Sequence, residues 1–526
     1  MKQLFSLFAF LPLVLSAQYF NGRQLVLEEV TVPGMPALQS FAWGQHNGQW
    51  FLIGGRTDGL HRRQPPFAFL ATGNNLSAYV VDPVTQQVWS APISTLPQSM
   101  EEQLQSTNME FEQRDSTLYC AGGYGYSPTA LDHITYPNLT AIDLEGVMNA
   151  IRNAQPIAPF FRQLTDQRLE VTGGQMRLLN DRFYLVGGQR FIGRYNPMGP
   201  NHGPGFIQEY TNAVRRFAID DDGVSLAISD YWNHVDTVNL HRRDYNMLPQ
   251  IFPNGEEGFT AFTGVFQYVD DVPWLNTVDI LDTNVIVVPV FEQLLNQYHS
   301  AHVGLYDGNT NAMRSVFFGG IGRYYFDGNG TLMDDINVPF VNTISLVQRN
   351  DQGALIEARV GTMPALLGAS AEFIPWPGTP QNASGIMLQH LFVGDTIVLG
   401  HVVGGLESTA GNIFFINTGV QSEASARLFR VLLVDPVQSI PTVEESAVAV
   451  RLHREGDVLH ISIGAGMTGT YSVRVLDTVG RTLREFADHA EGAGRSFDMD
   501  LQQLAAGAYM VEVRNGPRLF TERFIR

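Results

Sequence analysis

Val316-Phe317-Phe318-Gly319-Gly320 is an apolar, strand-forming run stopped by two glycines, and the same phrase recurs along the chain. It returns as Phe51-Leu52-Ile53-Gly54-Gly55, Leu118-Tyr119-Cys120-Ala121-Gly122-Gly123, Phe183-Tyr184-Leu185-Val186-Gly187-Gly188 and His401-Val402-Val403-Gly404-Gly405. A loop follows each copy, then an Asn-led segment: Asn75-Leu76, Asn138-Leu139, Asn212-Ala213, Asn342-Thr343 and Asn412-Ile413. A sixth such segment, Asn276-Thr277-Val278-Asp279-Ile280, has only Gly264 ahead of it and reads as a degenerate copy. Six copies predict six blades of four strands about a central axis. Inner strands crowd near such an axis, where a side chain at the bend would strike the neighbouring blade, so glycine fits. A sandwich with recurrent glycine turns is the competing fold, and the regular period weighs against it. Gln24 to Val30 and Arg427 to Val434 compete to complete the last blade.

The pattern resembles the kelch repeat, most fully in the first copy, where Tyr79-Val80-Val81-Asp82 is followed by Trp89. Met35-Pro36-Ala37-Leu38 and Met363-Pro364-Ala365-Leu366 echo each other ahead of double-glycine strands. The later copies lack the Trp. The resemblance implies an all-β chain, a six-bladed kelch-like β-propeller over residues 18–435.

The 526 residues carry 33 Lys+Arg, 52 Asp+Glu and one Cys, with 16% charged and a net charge of −19. That balance argues against a nucleic-acid partner, and a lone Cys excludes a disulfide framework and a Cys-cluster zinc site. Residues 1–17 read as an export signal: Lys2, the apolar run Leu4 to Leu15, and small residues up to Ala17. The run is too short to cross a membrane, and nothing later reaches spanning length without charge or Pro. Lys2 is the only lysine, so every later cation except histidine is an arginine.

Residues 436–446 read as a linker with Pro436, Pro441 and paired glutamates. Residues 447–526 then alternate in short segments, the pattern of a small C-terminal β-sandwich. The expected strands are Val448 to Leu452, Val458 to Ile463, Tyr471 to Leu476, Arg481 to Phe486, Tyr509 to Arg514 and Leu519 to Ile525. Asp477-Thr478-Val479-Gly480-Arg481, then Leu504-Ala505-Ala506-Gly507-Ala508-Tyr509 and the basic end Arg523-Phe524-Ile525-Arg526 resemble the C-terminal sorting domain of the type IX secretion system. Asp477, Gly480, Arg481, Gly507, Tyr509 and Arg526 carry the motif. The resemblance implies passage through the periplasm and outer membrane, the secretion machinery as partner, and an extracellular or surface-attached product.

The body averages about 70 residues per repeat against about 50 for kelch, and the surplus falls between double glycine and Asn-led strand. In a propeller these connections share one face. The first holds Arg56, His61, Arg62, Arg63, Phe67 and Phe69, the second Tyr124, Tyr126, His133 and Tyr136. The third holds Arg190, Phe191, Arg194, Tyr195, His202, Phe206 and Tyr210; the fourth Asp270, Asp271 and Trp274; the fifth Arg323, Tyr324, Tyr325 and Phe326. The sixth reads as short, with Glu407 its only charge. Arginine forks and aromatic faces on one rim suit an extracellular glycan or a protein partner. The same aromatics could instead pack the loops against one another.

No catalytic residue, metal site or cofactor is assigned. Gly368-Ala369-Ser370-Ala371-Glu372 misses G-x-S-x-G at its last position. Asp327 to Asp335 lacks the glycine and glutamate of a calcium loop and reads as a turn. His299 and His302 fall on opposite faces of an expected strand. His46, His390 and His401 are placed near the channel. Leu240 to Asn246 is a polar, aromatic connector that could project a functional loop, with Asp244 orienting an arginine, or could equally make an ordinary surface ion pair. Two enzyme precedents combine with the kelch resemblance: a sugar epimerase acting on sialic acid, and galactose oxidase-like copper enzymes, which would need Cys120 linked to a Tyr. The exported protein is expected to begin at Gln18, which intact mass of the secreted product would check; a mass retaining Met1 to Ala17 would count against the signal.

Overall fold

The structure, a computed structural model, describes residues 17–62, 67–195, 206–435, 450–463, 469–477, 481–490, 495–505, 507–515 and 518–526. Met1 to Ser16 of the expected export signal and the whole expected linker lie outside these residues. The chain divides into two compact units, Met1–Gln438 and Ser439–Arg526.

The first unit contains six sheets, each with four antiparallel strands as its body and three of them with a fifth short strand; in five of the six the four strands follow chain order. Sheet 1 consists of Ala42–His46, Gln49–Ile53, Ser77–Asp82 and Gln87–Pro92. Sheets 2 to 5 span residues 107–165, 175–235, 246–288 and 302–362. Sheet 6 takes Leu366–Pro375, Thr396–Ser408 and Leu428–Val434, and its fourth strand is Gln24–Val30 from the start of the chain. Both segments that competed for the closure are therefore used, side by side, with Gln24 opposite Val434 and Val30 opposite Leu428. Asn412-Ile413, expected to lead a strand, lies instead in the connection ahead of Leu428–Val434.

Apolar side chains between successive sheets show that the sheets form a ring. Phe51 and Ile53 pack with Leu118 and Cys120, Tyr119 with Phe183, and Tyr184 with Phe259. Phe262 packs with Phe317, Phe318 with Phe373, and Val403 with Trp50. The last contact returns sheet 6 to sheet 1, and the fold is a β-propeller. Each such large side chain, once buried, contributes about 1.5–3 kcal/mol. Phe20, two residues after the expected mature start, is also fully buried in the cluster between sheets 5 and 6.

Main-chain hydrogen bonds complete the ring at the axis. Ser40 N donates to Ser370 O (3.0 Å), Ser370 to His299 (2.8 Å) and His299 to Asp244 (3.1 Å). Asp244 donates to Gly173 (2.8 Å), Gly173 to Asn108 (3.4 Å), and Asn108 back to Ser40 (3.3 Å). Five of the residues lie at or just before the start of their sheet's inner strand, and Ser370 follows the register shift between Leu367 and Ala369 inside Leu366–Pro375. Five of the six adopt left-handed backbone: Ser40, Asn108, Gly173, Asp244 and Ser370, at φ 48–69°.

The double glycines serve the same packing. A Cβ on Gly122 would lie 1.9 Å from Val171 O, and one on Gly319 would lie 2.1 Å from Leu367 O, both in the next sheet's approach to the axis. In the degenerate fourth copy Thr263, at φ 53°, stands in the first glycine's place. Arg242, 1% exposed, bolts that bend by donating to Thr263 O and to Asn276 O (2.8 Å) and Oδ1 (2.8 Å).

The second unit has a three-stranded sheet of Val450–Glu455, Val458–Ile463 and Arg495–Asp500. Its four-stranded sheet takes Thr482–Ala490, Gly469–Asp477, Ala508–Asn515 and Arg518–Ile525. Leu459, Ile461, Val473, Val475, Val511 and Val513 form its core. Arg495–Asp500 was not expected from sequence, because only Phe497 and Met499 face inward while Ser496, Asp498 and Asp500 are exposed. The motif residues have structural work: Asp477 accepts from Arg481 N (2.9 Å) and Nε (3.0 Å) across a turn whose Gly480 lies outside the described residues. Gly507 and Arg526 exchange two main-chain hydrogen bonds (3.2 and 2.9 Å), and Tyr509 Oη donates to Ala505 O (2.7 Å).

Replacing Gly319 by Ala should cost about 2–4 kcal/mol in urea unfolding of the full chain, combining a left-handed backbone with a cross-sheet clash. Gly223→Ala, at φ +85° with nothing within 4 Å, should cost about 1 kcal/mol. Equal losses would remove the packing explanation for the repeat.

Candidate functional site

The connections between second and third strands emerge at the same end of the sheets as the six-residue ring, so their side chains surround the axis. At the centre is Arg243, next to the ring residue Asp244. Its guanidinium donates to the Asp244 carboxylate through Nη1 and through Nε to Tyr210 Oη (3.1 Å). It also lies 5.0 Å over the Phe266 ring. Among the described residues no partner is recorded on Nη2. Phe266 and Tyr298 face each other at 6.5 Å between centroids. His61 and Tyr195 meet edge to face at 4.6 Å, and burial, with Arg243 and Arg56 near, holds the His61 imidazole down to about 4. Tyr210, His241 and Tyr268 form a column of stacked rings at 3.7 and 4.1 Å, with Tyr268 exposed at its outer end.

The arginines expected to meet a ligand are mostly committed within the protein. Arg56 is buried and forks onto Asp58 (2.7 and 2.6 Å), with Asn74 and Leu70 O taking further bonds. Arg190 pairs with Glu170 (2.7 Å) and Glu209 (3.1 Å), and Arg323 forks onto Asp334 (2.6 and 2.7 Å). Arg62 lies over Phe67 at 4.9 Å. Arg63 and His202 lie outside the described residues. Arg194 is half-buried beside Tyr195.

The aromatics divide similarly. Tyr124 is buried, donates to Gly193 O (2.7 Å) and packs on Phe69 and Phe191. His133 is buried against Tyr124 and Tyr126, within 3.0 Å of Phe69 O. Tyr136 donates to Tyr126 O (3.1 Å), and Phe206 stacks on Phe191. Trp274 Nε1 donates to His241 O (2.9 Å). Tyr324, Tyr325 and Phe326 are half-buried on a hairpin, whose tip is an Asp327 turn accepting from Asn329 and Thr331 N. Asp270 and Asp271 are exposed. The sixth connection is longer than its sequence indicated and brings Phe414 against His61 at 6.0 Å.

Four histidines are placed differently from expectation. His299 and His302 both sit by the axis, because the strand starts only at His302: His299 Nε2 lies 2.9 Å from Glu372, and Arg177 lies 3.2 Å from His302 Nε2. His401 is buried between sheets 6 and 1, 5.1 Å from Trp50. His390 sits at sheet 5's outer turn, accepting from Gly308 N. His46 ends an inner strand, half-buried. Cys120 is in the apolar cluster between sheets 1 and 2, where burial pushes its thiol far up.

Residues 455–526 match the secretion system C-terminal sorting domain family. This tail signals export by the type IX secretion system. The destination is the cell surface or extracellular space, and among the described residues no helix is long and apolar enough to cross a membrane. No curated protein matches the sequence. The chain is similar in structure to YjhT, with 11% identity, TM-score 0.41, and 77% of this chain and 99% of that one covered. It is also similar to a fungal alcohol oxidase of the AA5 family in complex with copper, with 10% identity, TM-score 0.39, and coverage of 96% and 99%. Similarities of this size say nothing of activity.

Beneath the ring, the axial cavity is about 20 Å³, room for a single water. Glu110, Gln175, Arg177, Asp244, His299 and Glu372 are among its lining. Glu110 Oε1 accepts from Gly174 N (2.6 Å) while Oε2 has no partner, and burial pushes this carboxyl up to about 8. Folded Glu110 thus holds its proton more tightly than the unfolded chain does. The stability it lends is complete below about pH 4.3 and is lost as pH rises through about 8. Glu110→Gln keeps the acceptor and removes the ionisation. Urea midpoints should therefore fall less for the variant than for the wild type between about pH 5 and about pH 8; parallel pH profiles would contradict this.

Proposed function

We propose that this exported propeller binds an extracellular glycan through the loop-face mouth, and that the glycan carries a carboxylate. The observation behind this reading is Arg243. Its guanidinium is oriented by Asp244, Tyr210 and Phe266, with Nη2 directed to no described residue. A planar fork so held suits a carboxylate, and the surrounding rings of Tyr195, Tyr298 and His61 suit the apolar face of a sugar. The ring of main-chain bonds leaves only a water-sized cavity below, so a sugar has to sit above it. The kelch resemblance and the repeat reading support the same face.

The epimerase reading places its chemistry at this face too, where Asp244, Tyr210, Tyr298 and His61 are among the ionisable groups near Arg243; the copper oxidase reading would need Cys120, which lies in the apolar cluster between sheets 1 and 2. A protein partner would instead use the outer rim, where Phe67, Tyr268, Ile336 and Phe415 are 47%, 60%, 69% and 63% exposed.

In a thermal-shift panel of acidic and neutral sugars, and copper, on the purified chain, acidic sugars should raise the midpoint. Saturation at a hundredfold over Kd corresponds to about 2.7 kcal/mol. Arg243→Gln should abolish the shift, and Arg323→Ala, whose guanidinium is spent on Asp334, should leave it intact. A shift with neutral sugars alone, or one surviving Arg243→Gln, would contradict the assignment. Turnover of a sugar that binds would move the reading to the epimerase, and a shift with copper alone to the oxidase.

A further inference from the structure

The sorting sandwich is open along one side. Its three-stranded sheet ends at Arg495–Asp500 and its four-stranded sheet at Thr482–Ala490, and each of these strands is paired on one flank only. They are consecutive in sequence yet lie in different sheets. A groove of about 510 Å³ runs between them, lined by Arg484, Glu485, Phe486, Phe497, Asp498 and Asp500 among others. Phe486 and Phe497 meet across it at 4.9 Å between centroids, giving it an apolar floor. Its rim has three carboxylates against one guanidinium, with Asp498 Oδ1 also 2.6 Å from His460 Nδ1, and Arg484 is already turned onto Gln503 Oε1 (2.6 Å).

An unpaired strand edge presents main-chain donors and acceptors in register, a template for one more strand. Here two such edges flank an apolar floor under an acidic rim. We infer that an extended, basic segment of the type IX machinery docks in this groove, adding as a strand to the Thr482–Ala490 edge. Main-chain hydrogen bonds would hold it, one set of alternate side chains resting on Phe486 and Phe497 and the other meeting Glu485, Asp498 and Asp500. Charge sets the choice of a basic occupant. The sorting-domain match sets the choice of the machinery, since this domain is what that machinery reads. The inference rests on the export assignment and is independent of what the propeller binds.

The test uses the full chain in cells with a working type IX system. A photo-crosslinking residue replaces Ala487, exposed on the open edge, or Arg514, exposed two strands away in the same sheet and outside the groove lining. Position 487 should give an adduct identified by mass spectrometry as a protein of the outer-membrane machinery, and position 514 should not. Asp498→Lys with Asp500→Lys should lower the surface-delivered fraction about tenfold or more, with the melting midpoint of the purified chain unchanged. Should that variant fail to fold, the crosslinks still decide the matter, since they leave the rim charges in place. Equal adducts at both positions, an adduct of twice the chain's own mass, or normal delivery of a folded double variant would each overturn the groove assignment. Wild-type delivery in cells lacking the machinery would overturn the export assignment, and the groove with it.

Discussion

The main-chain ring through Ser40, Asn108, Gly173, Asp244, His299 and Ser370 is the constraint on which the propeller depends. Each sheet offers one donor and one acceptor to its two neighbours, so the circle closes only with all six present. Five of the six residues adopt left-handed backbone, a conformation that costs a non-glycine residue about 1–2 kcal/mol. Asparagine and aspartate tolerate it best. Ser40 and Ser370 have no such excuse, and ring closure is what holds them there. Trp50, Phe318 and their counterparts between the sheets supply the apolar burial that makes this affordable.

The ring also sorts the chemistry of the axis. Below it, Glu110, Arg177, His299 and Glu372 crowd a water-sized space, and the raised Glu110 carboxyl is the consequence of burial without a full set of donors. Above it the loops bring together residues from sheets 1, 3, 4 and 5 around Arg243. Buried ionisable groups with shifted protonation draw attention as functional candidates, yet here the most perturbed carboxyl lines a space no larger than a water.

The repeat was legible because its cause is local. Two glycines at a crowded bend leave a signature in five places, and even the failed fourth copy kept Gly264 in the second position. The closure was less legible because Gln24–Val30 and Leu428–Val434 have the same texture, and only their pairing shows that both belong to sheet 6. The candidate site was legible as a face and not as residues. Arg56, Arg190 and Arg323 stood out by type, but each has a carboxylate partner that sequence does not reveal: Asp58, Glu170 and Asp334. Arg243 lies in the connector Leu240 to Asn246, whose sequence allows a functional loop with Asp244 orienting an arginine as readily as a plain surface ion pair. Tyr298 gave no signal, since it precedes a strand outside the double-glycine loops.

What separates Arg243 from the other loop arginines is how its partner is held. Asp58 lies in the first connection and Asp334 in a short hairpin strand, both away from the axial ring. Asp244 has its N–H and C=O locked into the axial ring, to Gly173 and His299, so its carboxylate is positioned by the whole propeller rather than by one loop. Tyr210 and Phe266 then fix the guanidinium from two other directions. A cation held this way has little side-chain freedom left to lose on meeting an anion, which is the main cost of recruiting a flexible arginine for binding. In a chain of net charge −19 that lets one arginine on the axis matter more than a rim of them.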